Sequence, residues 1–197
     1  MSAASLKRPR PSARERLLAA ADELFYAEGV HTVGIDRIIE RAGVAKASLY
    51  SAFGSKDELV RAYLQGRHEA RRARLLGALE RFDNPRDRLL GVFDYLAELA
   101  GSSSFRGCAF YNARAEEPAD SGPVAEVSAT NRAWTRELFI ELARDAGARD
   151  PEALAAQLVI LYDGTSVGAR MDRSATAAAT ARAVAAALLD TATGRPI

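Results

Sequence analysis

Residues 35–59, IDRIIERAGVAKASLYSAFGSKDEL, decide how the rest of the chain is read. Ile35, Ile38, Ile39 and Ala42 share one face at helical spacing. Gly43 follows where a helix commonly ends in a left-handed residue. Val44 opens a second run in which Leu49 and Phe53 stand on one face. Lys46, Ala47, Ser48, Tyr50 and Ser51 make up the other face, which is small, polar and basic. Gly54 closes this run, and Ser55 with Glu58 forms a capping box that starts a further helix. Helix, glycine-containing turn, helix is the helix-turn-helix pattern. The second helix is then the one whose N-terminal residues face base edges. Small side chains let its backbone sit deep in a major groove. Lys46 supplies charge, and Ser48 and Tyr50 can donate to phosphates without carrying any.

The flanking sequence supports a brace for this pair. Ser12 and Glu15 form another capping box, and Leu17, Leu18, Ala21, Leu24 and Phe25 follow on one helical face as far as Glu28. Gly29 ends that helix. Ahead of it, Lys-Arg-Pro-Arg-Pro at residues 7–11 cannot be helical. Residues 1–11 therefore read as a disordered basic arm, either lying along DNA or simply solvated. The net charge of the 197-residue chain is only +1, but Lys7, Arg8, Arg10, Arg14 and Arg16 stand against Glu15 alone. A nucleic-acid binder needs such a local field rather than a basic total.

Composition excludes other classes. The chain is 48% hydrophobic and 27% charged, ordinary for a globular protein. Its one cysteine, Cys108, allows no intrachain disulfide. The N-terminus has no apolar signal core, and no apolar run reaches the roughly 18–20 residues of a membrane span. A cytoplasmic protein is expected. His31 and His68 have no metal-ligand spacing, and GxSxG, Walker and GxGxxG loops are absent. Glu116-Glu117 reads as a solvated helix end. Neither a metal nor a cofactor is expected, and an enzyme is the least favoured reading.

At this point a resemblance carries further. Ala42-Gly43-Val44, Lys46, Leu49-Tyr50, Phe53 and Gly54-Ser55-Lys56-Asp57-Glu58-Leu59 occur in the order and spacing of the tetracycline-repressor (TetR) family. Residues 25–59 resemble the DNA-binding domain of those bacterial transcription regulators. Three departures stand out. Gly34 and Ala45 replace the usual Ser or Thr caps of the two motif helices, and Ala52 replaces a larger residue. Ala in place of a cap costs about 1 kcal/mol, and Gly only tenths.

The remaining sequence reads as helices with no period-2 strand pattern. One runs from Lys56 to about Phe82, its later part, residues 67–81, reading as a solvated arginine-rich face. Asn84-Pro85 and Asp150-Pro151 each place an N-cap before a first-turn proline. Others cover residues 85–100, 105–115, 123–146, 151–170 and 174–193, with a turn-rich loop at 116–122. The fold class is all-α. Domains are expected at 12–55 (three-helix DNA-binding domain) and 56–197 (helical ligand-binding and dimerisation domain).

The resemblance implies the rest. The alanine-rich segments 155–170 and 175–189 would pair with their copies in a homodimer, although alanine is also simply the best helix former. The DNA-binding residues would be Lys46, Ala47, Ser48, Tyr50, Ser51 and Lys56, with Lys56 on the backbone. Partners would be a palindromic double-stranded operator and a small apolar or amphipathic effector that releases a repressor from it. The helix beginning at Lys56 would be the lever. Effector candidates are Phe93, Cys108, Phe110, Tyr111, Asn112, Trp134, Tyr162 and Asp163, most of the aromatics also having a core reading. Cys108 reads either as a small buried hydrophobe or as a redox sensor activated by Arg106. The alternatives to a regulator are a ligand-binding or dimerising helical module that has lost operator binding, and an all-α enzyme.

Overall fold

A computed structural model of the chain describes residues 11–117 and 121–194. The basic arm at 1–10 and part of the 116–122 loop lie outside the described residues. Two compact units divide the chain, residues 1–63 and 64–197. The described residues hold nine helices and no strand. None of these helices is long and apolar enough to cross a membrane.

The first unit contains α1 (Ala13–Glu28), α2 (Ile35–Ala42), α3 (Lys46–Phe53) and the start of α4 (Lys56–Leu79). The capping box of α1 is complete. Glu15 N–H donates to Ser12 Oγ at 3.2 Å, and Ser12 N–H donates to the Glu15 carboxylate at 2.7 Å. The Ser12 N–H foremost, and then the Ser12 hydroxyl donating at 2.8 Å, hold the Glu15 carboxyl below its usual range. Leu17, Ala21 and Phe25 are buried as the periodicity requires, and Ala20 joins them. Leu18 and Leu24 are only half-buried.

Two of the N-terminal cations serve the fold rather than an external field. The Arg14 guanidinium lies over the Phe53 ring, 5.0 Å from its centroid. Arg16 Nη1 donates to the carbonyls of Ala42 at 3.0 Å and Gly43 at 2.8 Å. It thereby places positive charge on the C-terminal end of α2, where the helix dipole favours it. Gly43 itself sits at φ 60°, ψ 47°. That left-handed turn swings the chain from α2 into α3 and suits a residue without Cβ.

Both α2 and α3 start without a side-chain cap, because Gly34 and Ala45 occupy the cap positions. Ala45 already has the extended backbone of a cap, φ −74° and ψ 151°. Ala45→Ser should therefore stabilise the first unit by about 1 kcal/mol in thermal unfolding, and Gly34→Ser by only a few tenths. Equal gains, or none, would show that these termini are satisfied in another way. At α4 the box is half made. Glu58 N–H donates to Ser55 Oγ at 3.1 Å, but the Glu58 carboxylate pairs with Arg61 at 3.2 Å.

The second unit contains the rest of α4, then α5 (Pro85–Ala100), α6 (Ala109–Glu116), α7 (Pro123–Asp145), α8 (Pro151–Asp172) and α9 (Thr176–Thr193). Asn84 accepts from the N–H of Arg86 and Asp87, and Asp150 from that of Ala153, as the Asn-Pro and Asp-Pro pairs predict. α4 stops at Leu79, short of the expected Phe82. The chain turns there so that the Phe82 ring lies on Gly91 of α5, where a Cβ would stand 2.3 Å from the ring. α6 begins at Ala109 rather than 105, and α8 runs two residues beyond Arg170.

The core of this unit forms where α5, α7, α8 and α9 meet. Phe93, Phe139, Leu89, Leu90 and Leu158 are fully buried within it. α9 closes on it through Ala178, Ala181, Ala185 and Leu189. The inward face of α9 is thus itself mostly alanine, while Val184 stands 42% exposed. Arg86 holds Asp190 of α9 with two bonds, at 3.1 and 2.9 Å.

Candidate functional site

Two arrangements in the chain can do chemistry, one in each unit. In the first, α3 buries Leu49 completely and turns Lys46, Ala47, Tyr50 and Ser51 outward. These positions recur at one helical turn and so form a single exposed face. Ser48 and Lys56 are half-buried at its margin, and Tyr50 is 46% exposed. Lys46 Nζ rests 3.2 Å from the Asp36 carboxylate, with both side chains largely exposed. An ion pair in that setting contributes about 0–1 kcal/mol, so the ammonium is easily drawn to another anion. Because Ala45 offers no acceptor, the amides of the first turn of α3 have no side-chain cap either.

The second arrangement is a cavity of about 620 Å³ inside the second unit. That volume is in the range of small-molecule sites. α7 lines it with Ser128, Asn131, Arg132 and Thr135, a stripe at helical spacing. α8 contributes Val159, Tyr162, Asp163, Ser166 and Arg170 at the same period. Cys108, Phe110, Tyr111 and Asn112 close a third side, and Arg71 of α4 enters from a fourth. Six of the residues expected at an effector site thus share one wall system: Cys108, Phe110, Tyr111, Asn112, Tyr162 and Asp163. Phe93 and Trp134 lie elsewhere. Phe93 is fully buried with its ring centroid 6.1 Å from that of Phe139. Trp134 is set edge-on to His68 at 5.6 Å.

Arg71 is the residue that sequence reasoning passed over. It sits in the arginine-rich part of α4 that reads as a solvated face, yet its guanidinium is enclosed. Nη1 donates to Asn131 Oδ1 at 3.2 Å, Nη2 donates to the Tyr162 hydroxyl, and the cation lies 4.8 Å from the Tyr162 ring centroid. His68 Nδ1 meets the same Asn131 oxygen at 3.2 Å. Burial lowers the pKa of Arg71, with nearby Cys108, Tyr95 and Asp163 acting in the opposite direction. Arginine nevertheless stays a cation in proteins. The signal for this wall was present on α7, where Asn131 and Thr135 are polar yet buried at i, i+4, while the apolar Ala133 is exposed. Polar residues on the inward face of a helix mark a lined space. Among the described residues, no cluster of His, Cys, Asp and Glu could hold a metal.

Comparison with known proteins bears on the first unit and on the fold of the chain. The family model described as "Bacterial regulatory proteins, tetR family" matches residues 17–63, the span of α1 to the start of α4. The crystal structure of a TetR-family transcriptional regulator from Streptomyces coelicolor superposes with a TM-score of 0.86 at 35% identity, covering 92% of this chain and 96% of that one. The HTH-type transcriptional activator FasR of Mycolicibacterium smegmatis is 35% identical over 71% of this chain and 63% of its own length. The HTH-type transcriptional repressor KstR2 of Mycobacterium tuberculosis is 34% identical over 42% of this chain and 41% of its own. The chain thus spans less than two thirds of these two curated relatives. Residues from α1 to α9 follow the architecture of the Streptomyces regulator at 35% identity, and on that ground the chain belongs to the TetR family of bacterial transcriptional regulators.

Proposed function

We propose that this protein is a homodimeric repressor that binds a palindromic operator and leaves it when a small amphipathic effector enters the second-unit cavity. The observation that carries the reading is the exposed face of α3. A fully buried Leu49 fixes its orientation, and Lys46, Ala47, Tyr50 and Ser51 stand outward together. Lys46, Ala47 and Ser51 face base edges, while Ser48, Tyr50 and Lys56 hold phosphates. Operator half-sites one helical turn apart call for a two-fold protein. The exposed Ile160 and Met171 of α8 and Val184 of α9 supply apolar surface for that contact.

Release follows from population shift. The effector must favour the state whose two α3 helices no longer match successive major grooves, by several kcal/mol for a full switch. α4 carries both Lys56, at the operator face, and Arg71, at the cavity, and is the element through which the two sites are linked.

Selection of bound duplexes from a random pool by the purified protein tests this reading. Enrichment of one inverted repeat is the expected result. Weak, salt-sensitive binding without enrichment would favour a helical module that has lost operator recognition. Lys46→Ala should then weaken the operator complex and flatten the slope of log K against log salt, because one cation is taken from the DNA surface. An unchanged slope would remove Lys46 from the interface.

A further inference from the structure

We propose that the effector is an amphipathic anion, a carboxylate on an apolar body, and that Arg71 receives the carboxylate inside the second-unit cavity. The inference rests on the reading of that cavity as the effector site and adds the charge of what fills it.

Most polar groups on the cavity wall already have partners. Arg71, Arg114, Arg132 and Arg170 face the cavity against a single carboxylate, Asp163. Asp163 is taken, because Arg132 Nη1 holds it at 2.5 Å. Arg170 donates to the Arg106 carbonyl, and Arg114 has partners of its own. Thr135 and Ser166 return their hydroxyl protons to carbonyls one turn back in their own helices. Asn112 donates to the Arg106 carbonyl at 2.9 Å.

Two groups remain. Arg71 has only neutral acceptors, the Asn131 amide oxygen and the Tyr162 hydroxyl, and no carboxylate among the described residues. Ser128, on the α7 stripe that also carries Asn131, holds its Oγ buried with no hydrogen-bond partner among the described residues.

A cation drawn out of water without a counter-charge is costly, and proteins rarely keep one unless something pairs with it. Guanidinium offers a planar fork that fits a carboxylate with two parallel bonds. A hydroxyl with a free proton is a further donor to the same anion. Val159, Phe110 and the Tyr162 ring give the body of the ligand an apolar seat. A neutral ligand would leave Arg71 with no hydrogen-bonded counter-charge, since Asp163 acts on it only through space and is held by Arg132, and a cationic one would meet repulsion from it.

The test uses the full-length dimer and two matched probe sets, decanoate, decanol and decylamine, and naphthoate, naphthylmethanol and naphthylmethylamine. Affinities are measured by calorimetry near neutral pH. In at least one set the carboxylate should bind roughly 10- to 100-fold more tightly than its alcohol, the worth of a hydrogen bond to a charged group. The amine should bind worst. Arg71→Gln should bring the carboxylate-to-alcohol ratio to about one, and Arg71→Lys should restore part of it. Ser128→Ala, which removes no charge, should cost the carboxylate roughly 2- to 10-fold and so gives a readout even if Arg71→Gln fails to fold.

Three outcomes overturn the inference: neither carboxylate binds, an alcohol or amine binds as well, or the preference survives in Arg71→Gln. Operator selection without any probe reports on the regulator reading alone. A protein that selects an inverted repeat and binds the alcohols as tightly as the acids would keep its proposed function and lose this inference.

Discussion

Phe139→Ala should lower the unfolding free energy of the second unit by about 3–5 kcal/mol. The ring is fully buried, and its centroid lies 6.1 Å from that of Phe93 and 5.9 Å from that of Tyr162. Truncation removes its transfer energy and leaves a void that α5, α7 and α8 cannot all close at once. Whole proteins are stable by only about 5–15 kcal/mol, so this one change would consume a large part of the margin. The midpoint of thermal unfolding should drop by roughly 10 °C or more. Tyr111→Ala is the control. That ring is 59% exposed, and its loss should move stability by no more than about 0.5 kcal/mol. A cost below about 1 kcal/mol at Phe139 would mean that the second unit is far less tightly packed than described. Tyr162 meets Phe139 edge-on and also lines the cavity, so the same variant should loosen the wall on which Arg71 rests.

Ile160→Glu should separate the proposed dimer, raising its dissociation constant on the order of 100-fold or more. Ile160 stands 70% exposed on α8, with Gly164 one turn on and Met171, 78% exposed, two turns beyond that. Large apolar side chains so placed mark a surface that meets another. A carboxylate there would lose its water against an apolar partner. Sedimentation should report a monomer at micromolar concentration. Operator binding should fall with it, because two half-sites held independently lose the gain from being joined. A variant that remains dimeric would place the interface on another face of the second unit.

Much of this architecture is legible in short-range chemistry. Asn84-Pro85, Asp150-Pro151 and the Ser12–Glu15 box each mark a helix start within a residue, because a cap and a first-turn proline act locally. Gly43 and Gly54 mark the ends of the motif helices for the same reason. The outward face of α3 follows from Leu49 and its spacing. Misreadings arise where a distant partner decides. Arg16 reads as part of a basic field, but the carbonyls that engage it are 26 and 27 residues away. Arg71 reads as one arginine among several on a solvated helix, and only α7 and α8, 60 and 91 residues on, make it a half-buried one. The end of α4 depends on a ring settling against Gly91. No periodicity within a single helix carries that information. Residue type alone groups Phe93 and Trp134 with the cavity, but packing sends one to the core and the other to His68.

The uncapped starts of α2 and α3 have a consequence for hydrogen exchange. Each helix is eight residues long, below the roughly 12–15 at which an isolated helix begins to hold in water. Neither has a side-chain cap at its start. Their end amides therefore open at little cost and exchange with solvent ahead of those of α1, which is twice as long and fully capped. On the operator, phosphate oxygens can supply the acceptors that Gly34 and Ala45 lack. Protection of these amides then becomes a readout of DNA contact, and the motif completes its order as it engages the duplex.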